Sequence, residues 1–261
     1  MTNSNLSGSP VKALKTVLLV AVVCAVLVSL TAVSLRPLYL ANLETERMAR
    51  LATIARLATI VETLGRVADG MRLEDIEARV VKLEDGTYSD DIDPATYDAR
   101  RAANDPGKSV DIPPQLDLAG IKRRADHAVV YLIRNSNNRV DALILPVRGV
   151  GYQSALYGYL ALAADVNEIL ALKFYEHGET PGLGSRIQDP DWEALWPGNH
   201  AFDESGKVSI RVGASAGFAG DRIDGITGAT RTITGVDRLV QFWLGDFGFG
   251  PYLERIRRGE G

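Results

Sequence analysis

Residues 16–35 constrain this chain most strongly, because they contain only Thr, Ser, Cys and aliphatic side chains. A helix of about 20 apolar residues spans the roughly 30 Å hydrocarbon core of a bilayer, so we predict a single transmembrane helix over 16–35. Lys12 and Lys15 precede the run, and this positive charge places residues 1–15 in the cytoplasm and the main domain in the periplasm. A cleaved signal peptide is the alternative, but the run is long for its apolar region.

Residues 36–127 are predicted to form a periplasmic helix followed by an irregular linking region. Apolar side chains recur at helical spacing from Leu43 to Val67, which predicts a helix with one broad apolar face. From Leu83 to Gln115 the chain is acidic and rich in Asp, Pro and Gly, which is typical of a solvated loop. A cation site is the alternative for these carboxylates, but their spacing imposes no coordination shell.

Residues 128–261 are predicted to form a separate domain of the α+β class, with helices packed on a twisted antiparallel sheet. Two pairs of strand-like runs are each separated by polar residues, which is a hairpin signal. Asp189-Pro190 is typical of a helix start and predicts a short helix through Leu195. The predicted strands are 129–133 with 140–145, 156–163 with 169–175, and 208–212.

The nine residues from Asp224 to Thr232 form a glycine-rich turn with several hydroxyls, Asp-Gly-Ile-Thr-Gly-Ala-Thr-Arg-Thr. Gly225 and Gly228 permit positive φ, so the backbone can reverse there. Apolar residues at helical spacing follow, which predicts a helix that begins near Thr234, with its free N–H groups pointing toward Thr232. Because such a helix end favours a phosphate, we expect an accessible Thr232 hydroxyl beside a phosphate site. An ordinary helix-capping turn is the alternative.

A second string, His177-Gly-Glu-Thr-Pro-Gly-Leu-Gly184, combines a rigid proline with bare glycine backbone. Backbone of this kind can lie against a flat ring. Arg186 follows closely and is a candidate partner for a phosphate or a ring, with an ordinary surface arginine as the alternative.

Both strings resemble motifs of the FMN-binding domain family. The first resembles the flavinylation motif Asp-Gly-x-Ser/Thr-Gly-Ala-Thr/Ser-x-Thr, whose last threonine carries FMN through a phosphoester. The second resembles the Glu-Thr-Pro-Gly-Leu-Gly signature. Segments 154–162, 174–177 and 242–251 are similar to the C subunits of Na⁺-translocating NADH:quinone reductases. The resemblance implies covalent FMN on Thr232, with further cofactor contacts from Thr230, Ala229, Gly228, Thr227, Asp224, Glu179, Thr180, Pro181, Gly182, Leu183 and Gly184.

The same resemblance implies an electron carrier within a sodium pump of the bacterial inner membrane that passes electrons from NADH to ubiquinone. Its partners would be the other subunits of that complex, and a flavin transferase using FAD and a divalent metal would attach the FMN. The chain has no NADH fingerprint, so it would receive electrons from its partners. The related G subunit of Rnf-type ferredoxin:NAD⁺ complexes is one alternative. A flavin-free, membrane-anchored assembly protein is another.

Composition excludes several other functions. The formal charge of −4 and the lack of a basic stripe argue against nucleic-acid binding. Cys24 is the only cysteine, which excludes an internal disulfide and a cysteine-based metal cluster. None of the three histidines accompanies a nucleophile motif, and His177 with Glu179 makes an incomplete metal shell. We therefore predict no acid–base catalytic residue and no metal ligand, and redox chemistry that comes from an organic cofactor.

Overall fold

A computed structural model describes residues 14–15, 17–29, 60, 62, 76–134, 139–214, 218 and 220–260 of the chain. The chain divides into two compact units, residues 1–53 and residues 54–261. In the first unit, the described residues are helical and their side chains are exposed. Within the described residues, no helix has both the length and the apolar character needed to cross a membrane. The predicted segment 16–35 extends beyond these residues, and nearly all of the predicted helix over 43–67 lies outside them.

The second unit is built on a five-stranded antiparallel sheet. In their order across the sheet, its strands are β1 (Ile76–Lys82), β4 (His127–Arg134), β5 (Val140–Val150), β6 (Ala155–Ala163) and β7 (Ile169–Glu176). Two short strands, β2 (Ser109–Asp111) and β3 (Arg123–Ala125), pair separately. The structure thus confirms the two predicted strand pairs and the antiparallel sheet.

Strand β1 was not predicted from the sequence, although it pairs with β4 along its whole length, from Ile76 opposite Ile133 to Lys82 opposite His127. Charged residues alternate with apolar ones at its start, because it is an edge strand with one face in the core. Ile76 and Val80 pack on the same core face as the fully buried Ile60. The predicted domain boundaries remain predictions, but the sheet includes this strand from within the 36–127 segment.

The sheet is buried on both faces, which explains the almost continuous apolar runs of its central strands. In β4, Val130 and Leu132 belong to the larger core cluster, whereas Tyr131 and Ile133 belong to a second cluster on the opposite face. This alternation follows from the two-residue repeat of a strand. Burying both faces fixes the register of each strand, because a slip of one residue would exchange the two clusters.

Several helices accompany the sheet: α1 (Ala99–Ala103), α2 (Pro190–Glu193), α3 (Thr230–Leu244) and α4 (Gly250–Arg257). Helix α3 packs against β5 and contributes Val236, Leu239 and Val240 to the larger core cluster. The approach is close: a Cβ atom placed on Gly235 would lie 2.5 Å from the carbonyl oxygen of Val150. A glycine at this position therefore sets the distance between helix and strand.

Three local predictions differ from the structure. Helix α3 begins at Thr230 rather than near Thr234, since Ile233 already packs in the core with the later apolar residues. Helix α2 ends at Glu193 rather than Leu195. The strand predicted over 208–212 is reduced to β8 (Arg211–Val212), which pairs in parallel with β9 (Arg222–Ile223), while Val208 makes an isolated bridge to Phe202.

Replacement of Gly235 by alanine tests the packing of α3. In an exposed helix this change would stabilise by about 1 kcal/mol. Here the added methyl group meets the Val150 carbonyl, so we expect the free energy of unfolding to fall by about 1–3 kcal/mol, the usual cost of overpacking. Denaturant unfolding measures the change. Thr234→Ala, at the exposed neighbouring position, is the control and should stay within about 0.5 kcal/mol of the wild type. A Gly235→Ala protein as stable as this control would contradict the close approach.

Candidate functional site

The two strings singled out in the sequence meet at one place. Thr232 lies in the first turn of α3, and its Oγ1 donates a hydrogen bond of 2.5 Å to Oε2 of Glu179. A Cβ atom placed on Gly184 would lie 2.6 Å from the same Thr232 oxygen, and one on Gly228 would lie 3.1 Å from Cδ2 of Leu183. The loop over residues 177–184, which follows β7, therefore packs directly on the start of α3.

The Glu179 carboxylate is the centre of this contact. Besides the Thr232 hydroxyl, it accepts backbone N–H groups from Tyr152 at 3.1 Å, Gln153 at 2.9 Å and Ser154 at 3.0 Å. The Ser154 hydroxyl donates to Oε1 at 3.2 Å and accepts the Gly178 N–H at 2.6 Å. The short connection between β5 and β6 thus anchors the 177–184 loop through one side chain.

These hydrogen bonds determine the charge of Glu179. Burial of the carboxyl raises its pKa, but the hydrogen bonds from Thr232 and from the backbone of residues 152–154 outweigh burial and lower the pKa below its usual value. Glu179 is therefore ionised at neutral pH, although its residue is only 5% exposed.

The burial of Thr232 corrects one expectation from the sequence. The hydroxyl was expected on an exposed turn ahead of the helix, but Thr232 lies inside α3 and is only 2% exposed. Ile226, Ala229 and Ile233 around it are part of the core. Because these side chains draw the turn inward, the loop covers the Thr232 hydroxyl.

The N-terminus of α3 has no side-chain cap. Its N-cap residue is Ala229, which accepts no hydrogen bond through a side chain, and Gly228 before it has φ of +82°. The first N–H groups of a helix have no partner within the helix and carry partial positive charge. This 15-residue helix therefore presents an electropositive end next to Thr232, as the sequence predicted, although the helix begins four residues earlier.

The remaining predicted cofactor residues differ in how far they are buried near the contact between Glu179 and Thr232. Ala229 is buried, whereas the side chains or backbone of Thr180, Pro181, Gly182, Leu183, Thr227 and Thr230 are exposed. Asp224 contacts other residues. Its backbone carbonyl oxygen accepts a hydrogen bond of 2.9 Å from Nε1–H of Trp192, and its exposed carboxylate lies 3.7 Å from the Arg222 guanidinium. The structure thus brings together Glu179, Leu183, Gly184, Gly228 and Thr232.

Several residues at the site received no role from the sequence. The backbone of Tyr152, Gln153 and Ser154 binds Glu179, and the guanidinium of Arg231 lies 5.0 Å from the Tyr152 ring centre. A Cβ atom on Gly151 would lie 2.6 Å from Oε1 of Glu179. The sequence signal for these residues is Gly151 followed by the polar turn at residues 152–154 between two strands. Such turns are common, so the signal does not indicate which side chain the turn binds.

For His177 and Arg186 the sequence is compatible with more than one role. Nδ1 of His177 accepts the Glu179 N–H at 3.2 Å, which fits a structural role in the loop. Nε of Arg186 donates to Asp189 at 2.9 Å, and its side chain is about half exposed. Among the described residues, no group of three or more His, Cys, Asp or Glu side chains is arranged to hold a metal ion.

Comparison with known proteins identifies the family. Residues 151–245 match the FMN-binding domain family, and this range includes the whole Glu179–Thr232 site. The chain is 40% identical over 257 residues to the C subunit of the Na⁺-translocating NADH-quinone reductase of Pseudomonas aeruginosa, covering 97% of this chain and 98% of that protein. The chain belongs to the family of C subunits of Na⁺-translocating NADH-quinone reductases. Members of this family are parts of an oxidoreductase complex.

Other members of the C-subunit family are similar to this chain in sequence and in structure. The homologue from Vibrio vulnificus strain YJ016 is 37% identical over 250 residues, which cover 95% of this chain and 96% of that protein. The crystal structure of Shewanella oneidensis NqrC has a TM-score of 0.68 and 31% identity, covering 78% of this chain and 99% of that chain. The crystal structure of the homologue from Parabacteroides distasonis has a TM-score of 0.53 and 27% identity, covering 69% of this chain and 80% of that chain.

The charge of Glu179 gives this protein a pH-dependent contribution to stability. The pKa of Glu179 is lower in the folded protein than in the unfolded chain, where it is near 4.5. The ionised carboxylate therefore stabilises the fold above pH 4.5, and this stabilisation is lost as the pH falls through the folded-state pKa. We therefore expect the gap in unfolding free energy between the wild type and Glu179→Gln to be widest near neutral pH and to narrow below about pH 4.

Glu193→Gln is the matched control for this measurement. Burial raises the pKa of Glu193 more than its hydrogen bond from Lys173 lowers it, so its contribution has the opposite sign. The wild type should gain stability relative to Glu193→Gln as the pH falls. A gap for Glu179→Gln that is constant with pH would contradict the ionised carboxylate.

Gly184 provides a second test of the site. A methyl group at this position meets Thr232 Oγ1 and the Glu179 side chain, at 2.6 Å and 2.9 Å from the nearest atoms. We expect Gly184→Ala to lower the free energy of unfolding by about 1–3 kcal/mol. Gly107→Ala, where the nearest contact is 3.4 Å and φ is not positive, should lie within about 0.5 kcal/mol of the wild type. Equal free energies of unfolding for Gly184→Ala and Gly107→Ala would mean that the 177–184 loop does not pack on Thr232.

Proposed function

We propose that this chain is the electron carrier of a membrane Na⁺-pumping NADH:ubiquinone oxidoreductase and that it holds FMN covalently on Thr232. One observation carries the proposal. In a chain of this C-subunit family, the last threonine of the flavinylation motif lies at the uncapped N-terminus of α3 and in direct contact with the second flavin string. The match of residues 151–245 to the FMN-binding domain family supports the choice of cofactor.

The residues at this end of α3 are suited to a phosphate and a flat ring. The free N–H groups of the first helical turn, around Thr230 and Thr232, would hold the phosphate. Gly228 and Ala229 add no bulky side chain beside it, and Thr227 and Asp224 come earlier in the turn. Thr180, Pro181, Gly182 and Leu183 form the exposed side of the opposite loop, and they offer apolar surface and bare backbone for the ring. Glu179 and Gly184 are already in contact with Thr232 itself.

Bound FMN would supply redox chemistry, because a flavin can accept and release electrons singly. The chain contributes position, since a phosphoester at Thr232 would tether the flavin to the start of α3. It also contributes exposure, since Leu183, 44% exposed, and Tyr152, 50% exposed, leave this side of the domain open toward redox partners. Electrons would come from and go to other subunits of the complex.

The covalent bond has a clear use if the domain lies outside the membrane. We propose that residues 16–35 anchor the chain as a single helix in the bacterial inner membrane, with residues 1–15 in the cytoplasm and the main domain in the periplasm. A loosely bound flavin would be lost there by dilution, whereas a tethered one stays at high effective concentration. A flavin transferase would attach it, using FAD and a divalent metal. The other subunits of the reductase are the proposed partners, and nucleic acid is not among them.

Covalent attachment can be tested directly by co-expressing the full chain with a flavin transferase. The denatured protein is run on a gel and imaged under ultraviolet light, and intact mass is measured in parallel. We expect a fluorescent wild-type band and a mass increase equal to FMN less one water, both abolished by Thr232→Val because valine has no hydroxyl. Thr232→Ser keeps a hydroxyl and should retain fluorescence.

Thr234 serves as the matched control. It is an exposed residue of the same helix to which no cofactor contact is assigned, and Thr234→Val should fluoresce like the wild type. Thr230→Val leaves the Thr232 hydroxyl in place and distinguishes the two candidate attachment positions. A dark wild-type band would exclude covalent flavin under these conditions. Loss of fluorescence in Thr230→Val alone would place the attachment two residues earlier than proposed.

A further inference from the structure

The Thr232 hydroxyl donates its hydrogen bond to a carboxylate, which can act as a proton acceptor. Its Oγ1 lies 2.5 Å from Oε2 of Glu179, in the geometry of a hydrogen bond to a carboxylate. The neighbouring hydroxyls are placed differently. Thr234 donates to the backbone oxygen of Thr230 at 2.9 Å, and Thr227 and Thr230 are exposed on the surface.

We propose that Glu179 accepts the Thr232 proton during flavin attachment and thereby selects this hydroxyl among its neighbours. The inference rests on the proposed covalent attachment at Thr232. It gives Glu179 a part in the maturation of the protein that is separate from holding the flavin ring.

The reaction balances with FAD as the co-substrate. Thr232 Oγ1 forms a bond to the phosphorus on the FMN side of the pyrophosphate, and the bond from that phosphorus to the bridging oxygen breaks. AMP leaves with the bonding electron pair. The Oγ1 proton passes to Glu179 and from there to water, and nothing is oxidised or reduced. A threonine hydroxyl is a weak nucleophile, so an adjacent base is the usual means of activating it.

The anchoring of Glu179 suits this role. Its carboxylate is held by three backbone N–H groups and one hydroxyl from residues 152–154, so its position does not depend on the outer part of its own loop. Gly184 covers the Thr232 oxygen. The turn over residues 180–185 is held by hydrogen bonds from the Leu183 and Ser185 N–H groups to the Thr180 oxygen and from the Gly182 N–H to the Ser185 hydroxyl. For a phosphate to reach Oγ1, Gly184 must move aside, whereas Glu179 is held by residues 152–154 beside Thr232.

The protonation state of Glu179 is also suitable. The same anchoring hydrogen bonds keep it ionised at neutral pH, and an ionised carboxylate is the accepting form. Three charged or titratable residues lie in the same loop or beside its anchoring segment: His177 accepts the Glu179 backbone N–H, Arg231 lies over the Tyr152 ring, and Arg186 pairs with Asp189. None of these three contacts is made by the Glu179 side chain.

The test measures the rate of covalent FMN incorporation into the purified full-length chain, with FAD, Mg²⁺ and an excess of flavin transferase, from pH 6 to 9. At pH 7 we expect Glu179→Gln to be slower than the wild type by about 100-fold or more, the usual contribution of a positioned base. The ratio of wild-type to variant rates should fall as the pH rises, because hydroxide then replaces the missing carboxylate. Glu179→Asp keeps a carboxylate and should recover part of the rate.

Asp85→Asn is the matched control. Asp85 also accepts a threonine hydroxyl, that of Thr87 at 2.6 Å, but in an exposed turn, so this variant should incorporate FMN at the wild-type rate. Peptide mass mapping should locate the flavin on Thr232. Circular dichroism at the assay temperature shows whether each variant is folded.

Three outcomes would overturn the inference: a wild-type rate in Glu179→Gln, a reduced rate whose ratio to the wild type does not change with pH, or a Glu179→Asp rate no higher than that of Glu179→Gln. If Glu179→Gln does not fold, Glu179→Asp decides, and a rate at least tenfold below the wild type in a folded protein supports the inference, whereas a wild-type rate overturns it. If the wild type itself incorporates no FMN, the proposed function fails instead, so the two failures are distinguishable.

Discussion

The packing of α3 on the sheet is the constraint on which the site depends. Gly235 lets the helix approach the end of β5. Gly149 in β5 lets Leu239 approach as well, because a Cβ atom on Gly149 would lie 3.0 Å from the Leu239 side chain. These contacts fix both the distance and the rotation of the helix. Because Thr232 is one turn before Gly235 on the same helix, the packing also fixes where its hydroxyl points, namely toward the loop that carries Glu179.

A buried carboxylate at the start of a helix is consistent with the electrostatics of this packing. The N-terminal N–H groups of α3 favour a negative charge, and the backbone of residues 152–154 supplies further N–H donors. An isolated buried charge is costly, but one that accepts several hydrogen bonds is not. The same electropositive end suits the phosphate of the proposed flavin. The donors at the start of α3 thus suit anionic groups, of which the Glu179 carboxylate is one.

Much of the fold could be predicted from local sequence patterns. The apolar runs of β4 to β7 and the polar residues between them predicted two strand pairs, because strand periodicity and turn residues act over short distances. Strand β1 was missed, since an edge strand with Glu77 and Arg79 among its apolar residues has a weaker pattern and its partner is more than 40 residues away in sequence. The start of α3 was misplaced by four residues, because burial of Ile233 rather than a capping residue determines it.

The sequence by itself determined the chemical character of the site: the hydroxyls, the bare glycines and the helix that follows them all lie within short motifs whose conformational preferences are local. Tertiary structure alone decided that Glu179 bonds to Thr232, 53 residues later, and that residues 152–154 hold that carboxylate. It also decided that Thr232 is covered rather than exposed. These features depend on how a helix and two loops pack around one sheet, and no single segment of sequence contains that information.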